Sequence, residues 1–430
     1  MKYVLAHGTL FDGTSQSADV REDVNIYVEG DRIVAIRQHE AQLEEGYECI
    51  DMTGKYVLPG LINLHAHLFG TGKPSKALAG GGSAQTLIKI TKTALGARIL
   101  DSMVCAGATA ELNSGVTTVR CVGDFHWSDV RLRDRINEGK IVGPRLLVSG
   151  PAITVPGGHG DGTFSVTASG EEELRSLVRD HAAHKVDLIK ICVTGGVMDA
   201  KVKGEPGEVK MSLAQTKAVC DEAHRLGYYV ASHTESPDGV RIALEGGVDT
   251  VEHGATTTPE VIALYKQTGS ADICTISPAV PLAKLDPAVT MMNELTQYNA
   301  DIVFAGIVQG AKDCLAAGVP VGLGTDASCP FVTHYDMWRE VCYFAQHVGA
   351  APAFALHTAT LGNARIARIA DETGSIEVGK CADIIAVAEN PLEDLTVLRH
   401  VAMVMARGIL IAQPRVKYVS VVDEQLDILL

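Results

Sequence analysis

The chain has 430 residues, 46% hydrophobic and 21% charged, with a mean hydropathy of +0.13, a globular composition that excludes a disordered, collagenous or low-complexity protein. Thirty-seven Lys and Arg against 52 Asp and Glu give a formal charge of −15, so the averaged field repels nucleic acid and anionic lipid, and neither is an expected partner. The length suits one large domain and a smaller one, since an α/β barrel alone takes about 250 residues.

Residues 1–58 alternate short β-type runs with turn chemistry: Tyr3–Leu5 before Asp12-Gly13, Val24–Val28 before Glu29-Gly30-Asp31, then Ile33–Ile36. This reads as a small antiparallel β unit. From Pro59 apolar runs of strand length alternate with helical segments, the pattern of repeated βα units around a parallel sheet. The expected strands are Leu61–His67, Thr117–Val122, Arg145–Ser149, Leu188–Val193, Tyr228–His233, Thr250–His253, Ile273–Ser277 and Val321–Thr325. Between two of them Ser212 can cap a helix to Leu226 that puts Leu213, Thr216, Val219, Cys220 and Ala223 on one face. Eight strands with helices between them predict a closed (β/α)8 TIM barrel over residues 59–371. After Asp371 the β texture returns in Ile384–Val387 and Val401–Met405, which predicts that 1–58 and 372–430 pair into one β-sandwich into which the barrel is inserted.

The N-terminal run meets Gly8 and Asp12 before a secretory core develops, and Val401–Ala412, interrupted by Arg407, is too short for about 30 Å of hydrocarbon. The 10 cysteines are scattered without a CxxC pair and read as reduced thiols. Both observations point to the cytoplasm.

Residues two apart on a strand share a face, so His65 and His67 aim their rings the same way from Cα atoms roughly 6.5 Å apart, as two ligands of one ion would. They end the first barrel strand, where barrel active sites lie; the plainer reading is two hydrogen-bonded histidines. Lys190 lies inside Asp187-Leu-Ile-Lys-Ile-Cys-Val193, and a strand there drives its amine into the barrel. Burial lowers a lysine pKa, and the neutral amine can pair with an acid such as Asp326, form a Schiff base, or take up carbon dioxide as a carbamate. His233 and His253 end the next two strands, and Asp326 ends the eighth, where it could equally cap the following helix. Six such side chains on strands 1, 4, 5, 6 and 8 would meet at one barrel mouth.

In that pattern the chain resembles the amidohydrolase superfamily, with HxH on strand 1, a carboxylated lysine on strand 4, histidines on strands 5 and 6 and aspartate on strand 8. Thr53–His65 resembles the family's approach to the barrel, and Gly374–Asp383 its return to the β-sandwich. Ile189–Gly196, Gly157–Gly160 and Val251–Gly254 are most similar to the prolidase-related branch, which includes dipeptidases and ochratoxin-type amidases. The resemblance implies two divalent metals, zinc by ligand type: His65, His67 and Asp326 on one ion, His233 and His253 on the other, and Lys190 as N6-carboxylysine bridging both with a hydroxide. Asp326 would move the proton, and the substrate would be a small amide or dipeptide handled by a homo-oligomer.

By the same resemblance His159 is a substrate contact, to a terminal carboxylate. Members of that branch often follow the strand 5 histidine with Ala-Tyr, whereas this chain has Thr234-Glu235. An ionised Glu235 cannot donate a hydrogen bond, so either Tyr228 or Tyr229 takes the donor's part or the substrate is not a simple dipeptide, with Glu235 facing it. The charged segment Met198–Lys210 and the glycine-rich run Gly70–Ser83 are candidate loops over the site. Two other readings remain: a mononuclear cyclic amidohydrolase or deaminase resembling imidazolonepropionase, which would lack the strand 4 lysine, and a non-catalytic barrel scaffold, which would lack ligands.

Overall fold

A computed structural model describes residues 1–40, 42–74 and 91–430; part of the Gly70–Ser83 loop, with Gly80-Gly81-Gly82, lies outside the described residues. Strands β1 (Lys2–Leu10), β2 (Arg21–Glu29), β3 (Arg32–Gln38), β4 (Glu48–Asp51) and β5 (Tyr56–Pro59) form one sheet with the last three strands of the chain. Those are Ile384–Val387, Val401–Ala406 and Ile409–Ile411. Strand β1 runs antiparallel to β2 but parallel to β4 and β5, so the sheet is mixed where a purely antiparallel unit was expected. The two chain ends meet along β5, where Pro59 pairs with Ile384 and Tyr56 with Val387. They also share one core, in which Leu5, Ile26 and Val57 pack with Ile384, Ala386 and Met405.

The eight expected barrel strands are present: β6 (Leu61–Ala66), β7 (Val116–Cys121), β8 (Arg145–Val148), β11 (Ile189–Cys192), β12 (Val230–Thr234), β13 (Thr250–His253), β14 (Ala271–Cys274) and β15 (Val321–Leu323). Two short strands, β9 (Ala152–Thr154) and β10 (Ser165–Thr167), were not foreseen. The chain breaks at Gly150-Pro151, with Gly150 at φ +67° against the Trp127 ring, so β8 pairs with β7 while β9 carries the ladder on to β11. The expected seventh strand is shorter than Ile273–Ser277. The Glu340 carboxylate accepts from the Ile276 and Ser277 N–H groups at 2.8 and 2.7 Å and so starts a helix, Ile276–Lys284, where the apolar run suggested strand.

Between β15 and β6 side-chain amides supplement the sparse ladder. Asn363 donates to the Ile62 and Leu323 carbonyls at 2.7 and 2.8 Å and accepts from Leu323 N at 2.9 Å, while Asn63 Oδ1 accepts from Thr325 N at 3.1 Å. These bonds satisfy buried backbone groups that would otherwise be costly to leave unpaired. The helix at Leu213–Arg225 forms with the expected cap: Ser212 Oγ accepts from Gln215 N, Gln215 Oε1 accepts from Ser212 N, and Thr216, Val219, Cys220 and Ala223 are buried, whereas Leu213, expected on the same face, lies in the exposed first turn. Among the described residues no helix is long and apolar enough to cross a membrane.

Candidate active site

All six side chains expected at the mouth lie at or just past the C-terminal ends of their strands, except Lys190, which sits one turn of the pleat deeper as the second residue of β11. His65 and His67 both reach Asp326: their Nε2 atoms lie 3.4 and 3.2 Å from its Oδ1. The rings of His65 and His253 are 4.7 Å apart, as are those of His233 and His253. Two overlapping groups have ligand atoms within 4.8 Å of one another, His65 with His253 and Asp326, and His233 with Glu235 and His253.

Local backbone shapes this convergence. His253 and Asp326 both adopt left-handed conformations, φ +70° and +57°, which cost non-glycine residues about 1–3 kcal/mol and turn each side chain inward past the strand end. The His65 carbonyl holds this turn by accepting from both Thr325 N (3.1 Å) and Asp326 N (2.7 Å).

Three of the four rings are also aimed from behind. His65 Nδ1 meets Glu252 at 2.7 Å, His67 Nδ1 the Gly123 carbonyl at 2.6 Å, and His253 Nδ1 the Thr275 hydroxyl at 2.7 Å. With Nδ1 engaged, Nε2 is left to face the centre, the arrangement that orients metal-binding histidines. Burial, followed by neighbouring imidazoles, pushes the pKa values of His233 and His253 well down, so both rings are neutral, as ligands must be. Burial lowers Lys190 as well, against the opposing pull of Glu252 and Asp326, and its Nζ is buried without a hydrogen-bond partner. Burial would raise Asp326, but His65 and His67 hold it well below the usual carboxylate range.

Glu252 and Arg120 were not singled out in the sequence. Both are fully buried inside the barrel, and Arg120 donates to the Glu252 oxygens at 2.7 and 2.8 Å and to the Leu64 carbonyl at 2.5 Å. Burial acts to raise Glu252, but the Arg120 guanidinium and His65 keep it ionised. The signal that exposed Lys190, a charged residue inside an apolar strand, was equally present at Arg120 in VTTVRC and Glu252 in TVEH.

The substrate-side candidates divide. His159 stacks on His233 at 4.0 Å with a 5° tilt and its Nδ1 lies 2.5 Å from Asp199, so it stands at the mouth. Glu235 is there too, its Oε2 accepting from Val197 N at 2.9 Å, and burial pushes its carboxyl up to about 8. Tyr228 is a correction: it precedes β12 at the opposite end of the barrel, about 16 Å along the chain from His233 at ~3.3 Å per residue, and cannot supply a donor to the site. Tyr229 is excluded for the same reason. The Met198–Lys210 loop is tied down, with Asn299 bonded to Gly204 N (2.8 Å) and the Val202 carbonyl (3.0 Å) and Gly195 N to the Glu208 carbonyl (2.9 Å). Beside His67 stand Phe69, Phe125 and Phe164, an aromatic wall that the sequence did not announce.

A parallel α/β barrel with neutral imidazoles, a buried amine and a carboxylate gathered at the C-terminal rim of its strands is the architecture of a barrel enzyme whose chemistry sits in that mouth. The chain belongs to the amidohydrolase family, whose description matches residues 56–411, and it is a hydrolase acting on C–N bonds. It is similar to a Bifidobacterium longum protein provisionally described as a prolidase, at 38% identity and a TM-score of 0.87 over 99% of this chain and 98% of that one. It is also similar to a Xaa-Pro dipeptidase crystallised with methionine in its active site, at 32% identity and a TM-score of 0.85 over 96% of this chain and all of that one. Ochratoxinase of Aspergillus niger is 26% identical over 399 residues, covering 86% of this chain and 78% of the relative.

Proposed function

We propose that the chain is a binuclear metal-dependent amidohydrolase that cleaves the amide bond of a dipeptide or N-acyl amino acid. The observation that carries this reading is the buried Lys190 amine, without a hydrogen-bond partner and in electrostatic reach of Asp326, His233 and His253. Its lowered pKa leaves the lone pair free to attack carbon dioxide: an N–C bond forms, one N–H proton departs, and a cation becomes a two-oxygen anion. The donor set then suits two divalent cations, with zinc expected from imidazole and carboxylate ligands. His65, His67 and Asp326 would hold one, His233 and His253 the other, and carboxylated Lys190 both. Bound there, such ions lower the pKa of a water towards about 7 and polarise the scissile carbonyl.

The protein's own groups supply the rest. Asp326 Oδ1 lies between His65 and His67, so Oδ2, contacted by Cys329 Sγ at 3.2 Å, is the atom that takes the proton from attacking water and returns it to the leaving nitrogen. His159, held at Nδ1 by Asp199, has Nε2 left for a terminal carboxylate of the substrate. Phe69 and Phe164 against His67, with Phe125 behind Phe69, give that side of the mouth an apolar lining for the substrate. Residues 59–371 are the catalytic barrel in this reading, and 1–58 with 372–430 the β unit that carries it. A cytoplasmic homo-oligomer completes it, consistent with ten unpaired thiols.

The test is a screen of dipeptides and N-acyl amino acids on metal-replete protein, with bound metal counted. Two ions per chain and hydrolysis support the proposal. One ion with turnover of cyclic amides replaces it with the mononuclear reading, and no ion with no turnover leaves a scaffold.

A further inference from the structure

Glu235 has no obvious employment as a structural carboxylate. It follows His233 by two residues, just past the end of β12, and its carboxylate lies within 4.8 Å of the ligand atoms of both His233 and His253. Its position is imposed rather than adopted by chance: Glu235 N bonds to Thr194 Oγ1 at 3.0 Å, and Oε2 accepts from Val197 N at 2.9 Å, both partners belonging to the loop that follows the Lys190 strand. Every polar clamp on the residue therefore comes from the segment that also carries Lys190. Yet among the described residues no lysine or arginine forms an ion pair with it. Buried carboxylates are paired with cations or coordinate metals, and here the carboxylate converges with imidazole nitrogens of His233 and His253 to within 4.8 Å. Two imidazole nitrogens and one carboxylate oxygen form a common donor set for a divalent transition metal.

We propose that Glu235 supplies a carboxylate ligand to the cation held by His233 and His253, making that side of the site a two-histidine, one-carboxylate set. The inference rests on the binuclear reading above and adds to it a ligand outside the six expected from the resemblance. It also gives a physical reason for the departure at this position. A side chain committed to the ion is not available to donate to the scissile carbonyl, so orientation of the substrate falls to His159 and the ion itself.

The experiment measures metal on purified full-length protein, independently of turnover. Wild type, Glu235→Gln and Glu235→Asp are loaded with Zn2+ and titrated against a chelator, and Co2+-loaded samples are compared by visible absorption. Glu235→Gln keeps the shape and the Val197 contact but loses the anionic ligand. The expected result is two ions in wild type, with one of them held at least tenfold more weakly in Glu235→Gln and a changed Co2+ spectrum, and partial recovery in Glu235→Asp. Circular dichroism verifies that the variants are folded. Two ions held with unchanged affinity in Glu235→Gln overturn the ligand assignment alone. If, in addition, KM rises only for substrates with a free amino group, Glu235 is a contact for the substrate's ammonium. A single ion in wild type, unaffected by the substitution, overturns the ligand assignment and the binuclear reading together.

Discussion

On the first-strand side of the mouth, His65 and His67 are gripped at Nδ1 by Glu252 and by the Gly123 carbonyl at 2.7 and 2.6 Å, and Glu252 is anchored in turn by the buried Arg120. On the fifth-strand side, His233 has a 3.3 Å contact to the Gly195 carbonyl and a stacked neighbour in His159, itself part of a glycine-rich loop. The first side is therefore fixed by the barrel interior, the second by loops. Side chains held from the barrel interior are the more rigidly placed, whereas the loop-borne His159 is the one free to adapt to different substrates. Loop variation can then alter specificity without loosening the part that does the chemistry.

The contrast can be broken at its centre. Lys190→Ala should remove metal from both sides together with turnover, and short carboxylic acids that replace the carbamate should restore part of each; an alanine variant with full metal and activity refutes the shared ligand. Next in size, Asp326→Asn should keep near-normal metal content while kcat falls by on the order of 10² or more, a proton transfer being worth that much. Unchanged turnover removes Asp326 from the mechanism. Glu252→Gln sharpens the comparison: metal affinity on the His65 side should fall about 10–100-fold, as loss of such supporting partners does. Arg120, left buried without its counter-charge, should also lower the melting temperature. Equal loss at the His233 side, read by chelator titration, would show that the two sides are not independently supported.

The smallest effect lies outside both. Asp272 is buried on β14 facing Tyr265, and burial pushes its pKa from the ordinary carboxylate range up to about 8. The folded chain thus keeps a proton that the unfolded chain releases near pH 4. This contribution to stability is complete below that pH and is lost as pH rises towards 8. Asp272→Asn should flatten the fall in melting temperature between about pH 5 and pH 8 without changing metal content, and an unaltered slope would show that Asp272 is ionised in the folded protein.

The barrel was legible because its strands are apolar runs punctuated by helices, and the site residues because they end those runs; strand period and position sufficed to place His65, Lys190 and His253. Three things were not. The mixed pairing of β1 depends on partners dozens of residues away, which local alternation does not encode. The helix at Ile276 depends on the distant carboxylate of Glu340, which the apolar run from Ile273 does not encode. Tyr228 is close to His233 in sequence, but the strand between them sets the two at opposite ends of the barrel. Arg120 and Glu252 were readable in principle, but each makes sense only when the other is seen across the barrel.

Asn363 ties the Ile62 and Leu323 carbonyls together, and it lies beyond both in the chain. A polypeptide leaving the ribosome therefore carries His65 and His67 long before the amide that docks Asp326 beside them has been made. If the mouth holds ions as proposed, chains that end before Asn363 should bind them weakly, because nothing then docks Asp326 beside His65 and His67.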